Sequence, residues 1–167
     1  MNAESDFNEV VADTDYAMYI VTAAYGEQRA GCLVGFTTQC SMTPPRFLVC
    51  LSKANHTYTV ARRAPALGVH LLGQDQHELA SLFGESTGDE VDKFERCRWK
   101  VGPEGVPLLL DCDSRFVGSV LARFDLGDHE AFHLAPVHAH KGTGVRPLTF
   151  QAVLDLVPGH RAEEGSG

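Results

Sequence analysis

Two stretches of this 167-residue sequence spell motifs that could carry hydrolytic chemistry. His129-Glu130-Ala131-Phe132-His133 has the H-E-x-x-H form, which on a helix sets two imidazoles one turn apart around a zinc ion, with the glutamate as base. That arrangement needs a helix, and here Gly127-Asp128 precedes the motif, Pro136 follows it and β-forming residues surround it. In a strand the two histidines would share a face but stand roughly 13 Å apart, too far to hold one metal, so no metal site is expected. Gly84-Glu85-Ser86-Thr87-Gly88 has the G-x-S-x-G form of a hydrolase elbow, and Asp111 or Asp113 followed by His129 would keep a Ser-acid-His order. An elbow joins a strand to a helix, however. Here a helical pattern comes first and the charged run Asp89-Glu90-Val91-Asp92-Lys93 comes after, which reads as a polar turn. Neither G-x-G-x-x-G nor a Walker A loop is present.

A third stretch, from Gly31 to Lys53, suits a ligand rather than a nucleophile. Two strand-like runs flank Thr37-Thr38-Gln39-Cys40-Ser41, small hydroxyl, amide and thiol residues ended by Pro44-Pro45. Small side chains let a flat ligand lie against backbone, and hydroxyls and N–H groups can reach its polar edge. The same composition also describes an ordinary polar loop. Just beyond, Ser52-Lys53-Ala54-Asn55-His56-Thr57 stands where a strand ends and a helix begins. The Lys53 ammonium, the Ser52 and Thr57 hydroxyls and free helix-start N–H groups would stabilise a phosphomonoester there. A capping box beside a solvated lysine is the alternative.

With these segments in this order, the sequence resembles the flavin reductase-like family, whose members bind FMN on a split barrel. The matching features are the Gly-x-x-x-Gly-x-Thr-x-x-Cys-Ser stretch before Pro44-Pro45, the Leu-Ser-Lys segment at Lys53, Leu79-Ala80-Ser81-Leu82-Phe83, Lys93-Phe94 with Trp99, and Gly127-Asp128-His129. They run from about Tyr16 to Phe150. The resemblance implies that Thr37, Thr38, Gln39, Cys40 and Ser41 line the flavin ring and ribityl chain, and that Ser52, Lys53 and Thr57 hold the phosphate. It places His129 near the nicotinamide or the flavin edge as the residue with a catalytic role. It implies a homodimer with each flavin held partly by the neighbouring subunit. NADH or NADPH would give hydride to FMN, which would pass electrons to a flavin-dependent monooxygenase or another acceptor. A flavin carrier or storage module without nicotinamide turnover is the other reading. FMN is expected over FAD, because no adenosine-binding glycine motif is visible.

The elements that must position these residues are mostly strands. Tyr16–Tyr25, Gly31–Thr37, Arg46–Leu51 and Leu67–Leu72 are rich in β-formers, and Phe116–Leu126 and Glu130–Ala139 would pair as a hairpin through Gly127-Asp128. Helices are expected at Asn55–Arg63 and at Asp75–Phe83 with Gly84 as its stop. This order predicts a mainly β fold, an antiparallel split β-barrel of Greek-key type with two or three short helices. One domain over residues 16–158 is expected, between an acidic tail at 1–15 and a C-terminal tail at 159–167. Hydrophobic residues make up 44% and charged residues 22%, a globular composition, and no apolar run is long enough to cross a bilayer. The net charge of −8 comes largely from the acidic N-terminus, and no basic stripe suits nucleic acid. Five cysteines without a C-x-x-C pair indicate neither a disulfide framework nor a thiolate zinc site. An acidic N-terminus lacks the basic, apolar pattern of a targeting peptide, so a cytoplasmic location is expected.

Overall fold

The computed structural model describes residues 2–86, 91–144 and 146–157. The first hairpin pairs Tyr19–Tyr25 (β1) with Gln28–Val34 (β2) across Gly26, whose φ of 59° is a left-handed conformation that glycine adopts without strain. A second hairpin pairs Thr37–Met42 (β3) with Pro45–Ser52 (β4). Ala66–Leu71 (β5) returns beside β1, and the long hairpin of Arg115–Asp125 (β8) and His129–His140 (β9) bridges β5 to β4. The resulting seven-stranded antiparallel sheet has the order β2-β1-β5-β8-β9-β4-β3. It curls until β2 lies alongside β4, forming the expected barrel, in which sequence neighbours β4 and β5 sit far apart.

Val21, Ala23, Cys32, Val49, Leu51, Leu67, Val69, Phe132 and Leu134 fill the barrel. One end is plugged by the helix His56–Ala61 (α2), which adds Val60 and Ala61 to that core; the Asn55 side chain caps it, accepting from Thr57 N at 2.9 Å. A second core lies outside β1 and β2. There the helix His77–Glu85 (α3) buries Ala80 and Phe83 against Met18, Ile20, Leu72, Phe94 and Val153. A small hairpin of Trp99–Val101 (β6) and Pro107–Leu109 (β7) covers the outside of β1 and β5.

Four details differ from the sequence reading. Residues 1–15, expected to be a tail, contain a helix at Ala3–Ala12 (α1), which Asn2 caps and which buries no side chain. Residues 37–41, read as a polar loop, are strand β3. Its backbone ladder to β4 supplies the order, and its polar side chains are tolerated because it is an exposed sheet edge. Helix α3 continues through Gly84 rather than stopping there. A Cβ at Gly84 would lie 2.9 Å from Leu33, so close packing on β2 explains the glycine. The β6–β7 hairpin has no counterpart in the sequence reading, because strands of three residues are too short to show an alternation. The C-terminal stretch 159–167 lies outside the described residues.

Candidate functional site

Between the two cores, the end of β4, the start of α2 and the Gly35-Phe36 corner leave a groove. Its two lobes, about 450 and 180 Å³, share Met18, Leu33, Ser52, Asn55 and Phe150. The larger lobe runs on to Phe83, Gly84 and Ser86 on α3 and to Leu154 and Leu156. The smaller is walled by Tyr16, Gly35, Phe36, Cys50 and His129. Tyr16 and Phe150 stack at 4.9 Å between ring centres and give it a flat apolar side. The lining also includes Ser52, Asn55 and His129, so the groove combines apolar surface with side chains able to hydrogen-bond. Sites for small ligands typically combine these features within roughly 300–1,000 Å³.

His129 reaches the groove because β9 pairs with β4 in a register that sets it opposite Ser52. Its ring lies 5.1 Å from that of Phe36, and Nδ1 is 2.7 Å from Asp128 Oδ1. That contact holds the Asp128 carboxyl below its ordinary range. His133 lies four residues along the same strand, so the segment is extended as expected and lacks the helical geometry of a zinc motif. Asp111 pairs with Arg98 and Asp113 faces His140, so neither carboxylate orients His129 as a triad would require. Ser86 follows directly on α3, opposite to the strand-before-helix order of an elbow, and Thr87 and Gly88 lie outside the described residues.

The residues expected to bind a phosphate are brought together only in part. Ser52 lines both lobes, whereas Thr57 is buried with its hydroxyl against the Cys32 thiol and does not reach the groove wall. The helix-start N–H groups are not free as expected. Lys53 N donates to Asp128 O at 2.9 Å, Ala54 N to Ser52 Oγ at 3.3 Å, Asn55 N to Ser52 O at 3.1 Å and Thr57 N to Asn55 Oδ1 at 2.9 Å. Lys53 Nζ is 2.7 Å from Asp125 Oδ1, which raises the lysine pKa and lowers that of the aspartate. Thr37, Thr38, Gln39, Cys40 and Ser41 continue from Phe36 along β3, where Thr38, Gln39 and Cys40 are exposed and none of the five lines the groove. Asn55, which the sequence marked only as a cap, and Met18, Leu33 and Phe150 are groove residues that no local pattern singled out.

The sequence and the strand architecture match one known family. The sequence model for the flavin reductase like domain matches residues 12–153. The chain belongs to the flavin reductase-like family. This flavin reductase-like chain is 28% identical over 129 residues to an FMN reductase (NADH), RutF, of Methylorubrum extorquens, covering 77% of this chain and 62% of that one. It is 29% identical over 137 residues to a ferric-chelate reductase (NAD(P)H) of Archaeoglobus fulgidus, covering 81% of each. It is also 29% identical over 147 residues to the reductase component of a 4-nitrophenol 4-monooxygenase/4-nitrocatechol 2-monooxygenase of Rhodococcus opacus, covering 88% of this chain and 77% of that one. The chain thus spans less than two thirds of the Methylorubrum protein.

Solved structures agree on the fold. A flavin reductase domain protein from Arthrobacter sp. FB24 superposes with a TM-score of 0.81 at 25% identity, covering 89% of this chain and 91% of that one. An NADH:FAD oxidoreductase from Streptomyces globisporus superposes with a TM-score of 0.80 at 23% identity, covering 95% and 90%. The flavin reductase-like chain is therefore a split barrel, mainly antiparallel β with three α-helices among the described residues.

Proposed function

We propose that this chain is an NAD(P)H-dependent flavin reductase that binds FMN in the groove and transfers hydride from NADH or NADPH to it. The observation that carries this reading is the combination in one groove of apolar surface, Tyr16, Met18, Leu33 and Phe150, with the hydrogen-bonding side chains of Ser52, Asn55 and His129, in a member of this family. The donor set fits a flavin: small residues at Gly35, Cys50 and Ser52 let a planar ring approach backbone, and hydroxyl and amide groups face it. A bound flavin supplies the hydride-accepting chemistry, so the protein needs no nucleophile of its own. Its residues position the reactants and keep water out. With Nδ1 engaged by Asp128, His129 Nε2 is the ring atom left to hold a nicotinamide carboxamide or the flavin edge. Thr37, Thr38, Gln39, Cys40 and Ser41 line the ring and ribityl chain, and Ser52 and Lys53 meet the phosphate, while Thr57, turned toward Cys32, acts only by donating its N–H to the Asn55 cap.

The β3 residues lie on an edge beyond the groove, and a second copy of the chain would bring them against a bound flavin. Phe132 and Leu134 point into the barrel, so Ala131 and His133 face outward, together with their strand partners Leu48, Cys50, Ala122 and Phe124. Phe124 with Phe36 and Leu121, all exposed, and the half-buried Leu48 and Cys50 give an apolar outer face that adjoins the groove at Phe36 and Cys50, which supports a homodimer around the flavin. Electrons would leave on reduced flavin to a flavin-dependent monooxygenase or another acceptor, in the cytoplasm where NAD(P)H is supplied. Anaerobic mixing of the FMN-loaded protein with NADH or NADPH tests the reading. Rapid bleaching of the flavin absorbance is expected. Failure with both donors would make the chain a flavin carrier instead, and mass spectrometry of heat-released cofactor separates FMN from FAD.

A further inference from the structure

In the β8–β9 turn, Asp125 occupies the cation that a flavin phosphate would need. Its Oδ1 lies 2.7 Å from Lys53 Nζ and also accepts the Gly127 N–H at 3.1 Å, so the turn itself aims the carboxylate at the lysine. The backbone binds the two segments together, since Lys53 N donates to Asp128 O at 2.9 Å. Other acids nearby are already satisfied: Glu130 accepts the Tyr58 hydroxyl at 2.5 Å and faces Arg123 at 3.6 Å, and Asp128 holds His129. Asp125 is 76% exposed, so water screens its hold on Lys53 and a dianionic phosphate can displace it. At the start of α2 the N–H groups of Lys53, Ala54, Asn55 and Thr57 are spent on internal acceptors, and Lys53, which lines neither lobe but directly follows the groove residue Ser52, supplies a charged donor for a phosphate at that end.

We propose that Asp125 sets how tightly the site holds the terminal phosphate of its flavin, by competing with that phosphate for Lys53. This inference rests on the flavin reading above and deepens it. A flavin held through such a shared cation binds less tightly than one held by a free lysine, and it exchanges more readily, as a flavin handed to another protein must. The competition acts only on the phosphate. Riboflavin, which has the same ring and ribityl chain but no phosphate, escapes it.

The test is to measure Kd for FMN and for riboflavin by fluorescence quenching in the unmodified protein, Asp125→Asn, Lys53→Met and the double variant. Asparagine keeps the acceptor for Gly127 N–H, so the turn is retained, and circular dichroism checks the fold of each variant. Asp125→Asn should tighten FMN about 1.5-fold to fivefold, the range expected when an exposed ion pair is removed, and leave riboflavin unchanged. Lys53→Met should weaken FMN, and in its background Asp125→Asn should have no effect on the ratio of FMN to riboflavin affinity. Equal tightening of both ligands, an unchanged ratio, or a gain that persists without Lys53 would overturn the inference while the flavin reading stood. If the unmodified protein bound neither ligand, the flavin reading would fall and this inference with it.

Discussion

At Nδ1 the His129 ring is 2.7 Å from Asp128 Oδ1, and it packs at a 43° tilt against Phe36, so its orientation is already restrained when a ligand arrives. A ring held this way contributes orientation, and losing one orienting hydrogen bond is worth on the order of 1–1.5 kcal/mol. His129→Ala should therefore slow anaerobic flavin reduction about tenfold while FMN stays bound, read by stopped-flow absorbance and by FMN titration. Unaltered reduction kinetics would reduce His129 to a turn residue. Lys53 shows why a side chain cannot be assigned from its type alone: a lysine beside Ser52 looks like a free phosphate ligand, yet its partner 72 residues away decides how much of its charge is available.

Among the elements, the β6–β7 hairpin is held to the barrel by a specific set of contacts. Thr22 Oγ1 on β1 donates to Pro107 O at 2.6 Å, and Leu109 N on β7 donates to His70 Nε2 at 3.0 Å from β5. Between these clasps lies Gly68, the strand partner of Thr22. A Cβ there would lie 2.3 Å from Thr22 Oγ1, the donor of the first clasp, and 2.8 Å from Cγ1 of Val106, the neighbour of Pro107. Gly68→Ala should thus lever the hairpin away and destabilise the fold by about 1–3 kcal/mol, measured by urea unfolding. A stability equal to that of the unmodified protein would mean that the hairpin is a loose cover.

For the molecule as a whole, two outcomes follow. His70 is fully buried; because Nε2 accepts from Leu109, Nδ1 carries the proton and donates to Ile20 O at 3.0 Å. Burial pushes its pKa down from the usual 6.5 to about 4. The folded state keeps the ring neutral while the unfolded chain protonates near 6.5. This contribution is therefore complete above about pH 6.5 and drains away as the pH falls toward 4. Between pH 7 and 5 it should cost about 2 kcal/mol of stability, and His70→Gln should remove that part of the pH dependence in paired urea titrations. The second outcome concerns assembly. Phe124 is 51% exposed on the apolar outer face, and Phe124→Glu should convert a dimer to a monomer by sedimentation and weaken FMN binding with it. A monomer that holds FMN undiminished at micromolar concentration would defeat the dimer.

Periodicity and punctuation are local properties, so the sequence alone identified six of the seven strands of the main sheet, the α2 and α3 helices, the long hairpin turn at Gly127 and the extended state of His129 to His133. The motif order likewise carried the family. Which face of a strand is covered, and which distant residues meet, depend on register and packing, and these only the tertiary structure decides. Residues 37–41 became a strand because β4 offered a backbone ladder, something their small polar side chains do not encode. Thr57 left the phosphate group because α2 turned its hydroxyl inward to Cys32. Tyr16, Leu33, Ser52, His129 and Phe150 become one groove because the antiparallel register sets His129 opposite Ser52 and the stacking of Phe150 on Tyr16 adds an apolar side. Their spacing in the chain contains no trace of that meeting, since cross-strand neighbours are determined by the pairing of whole strands rather than by distance along the sequence.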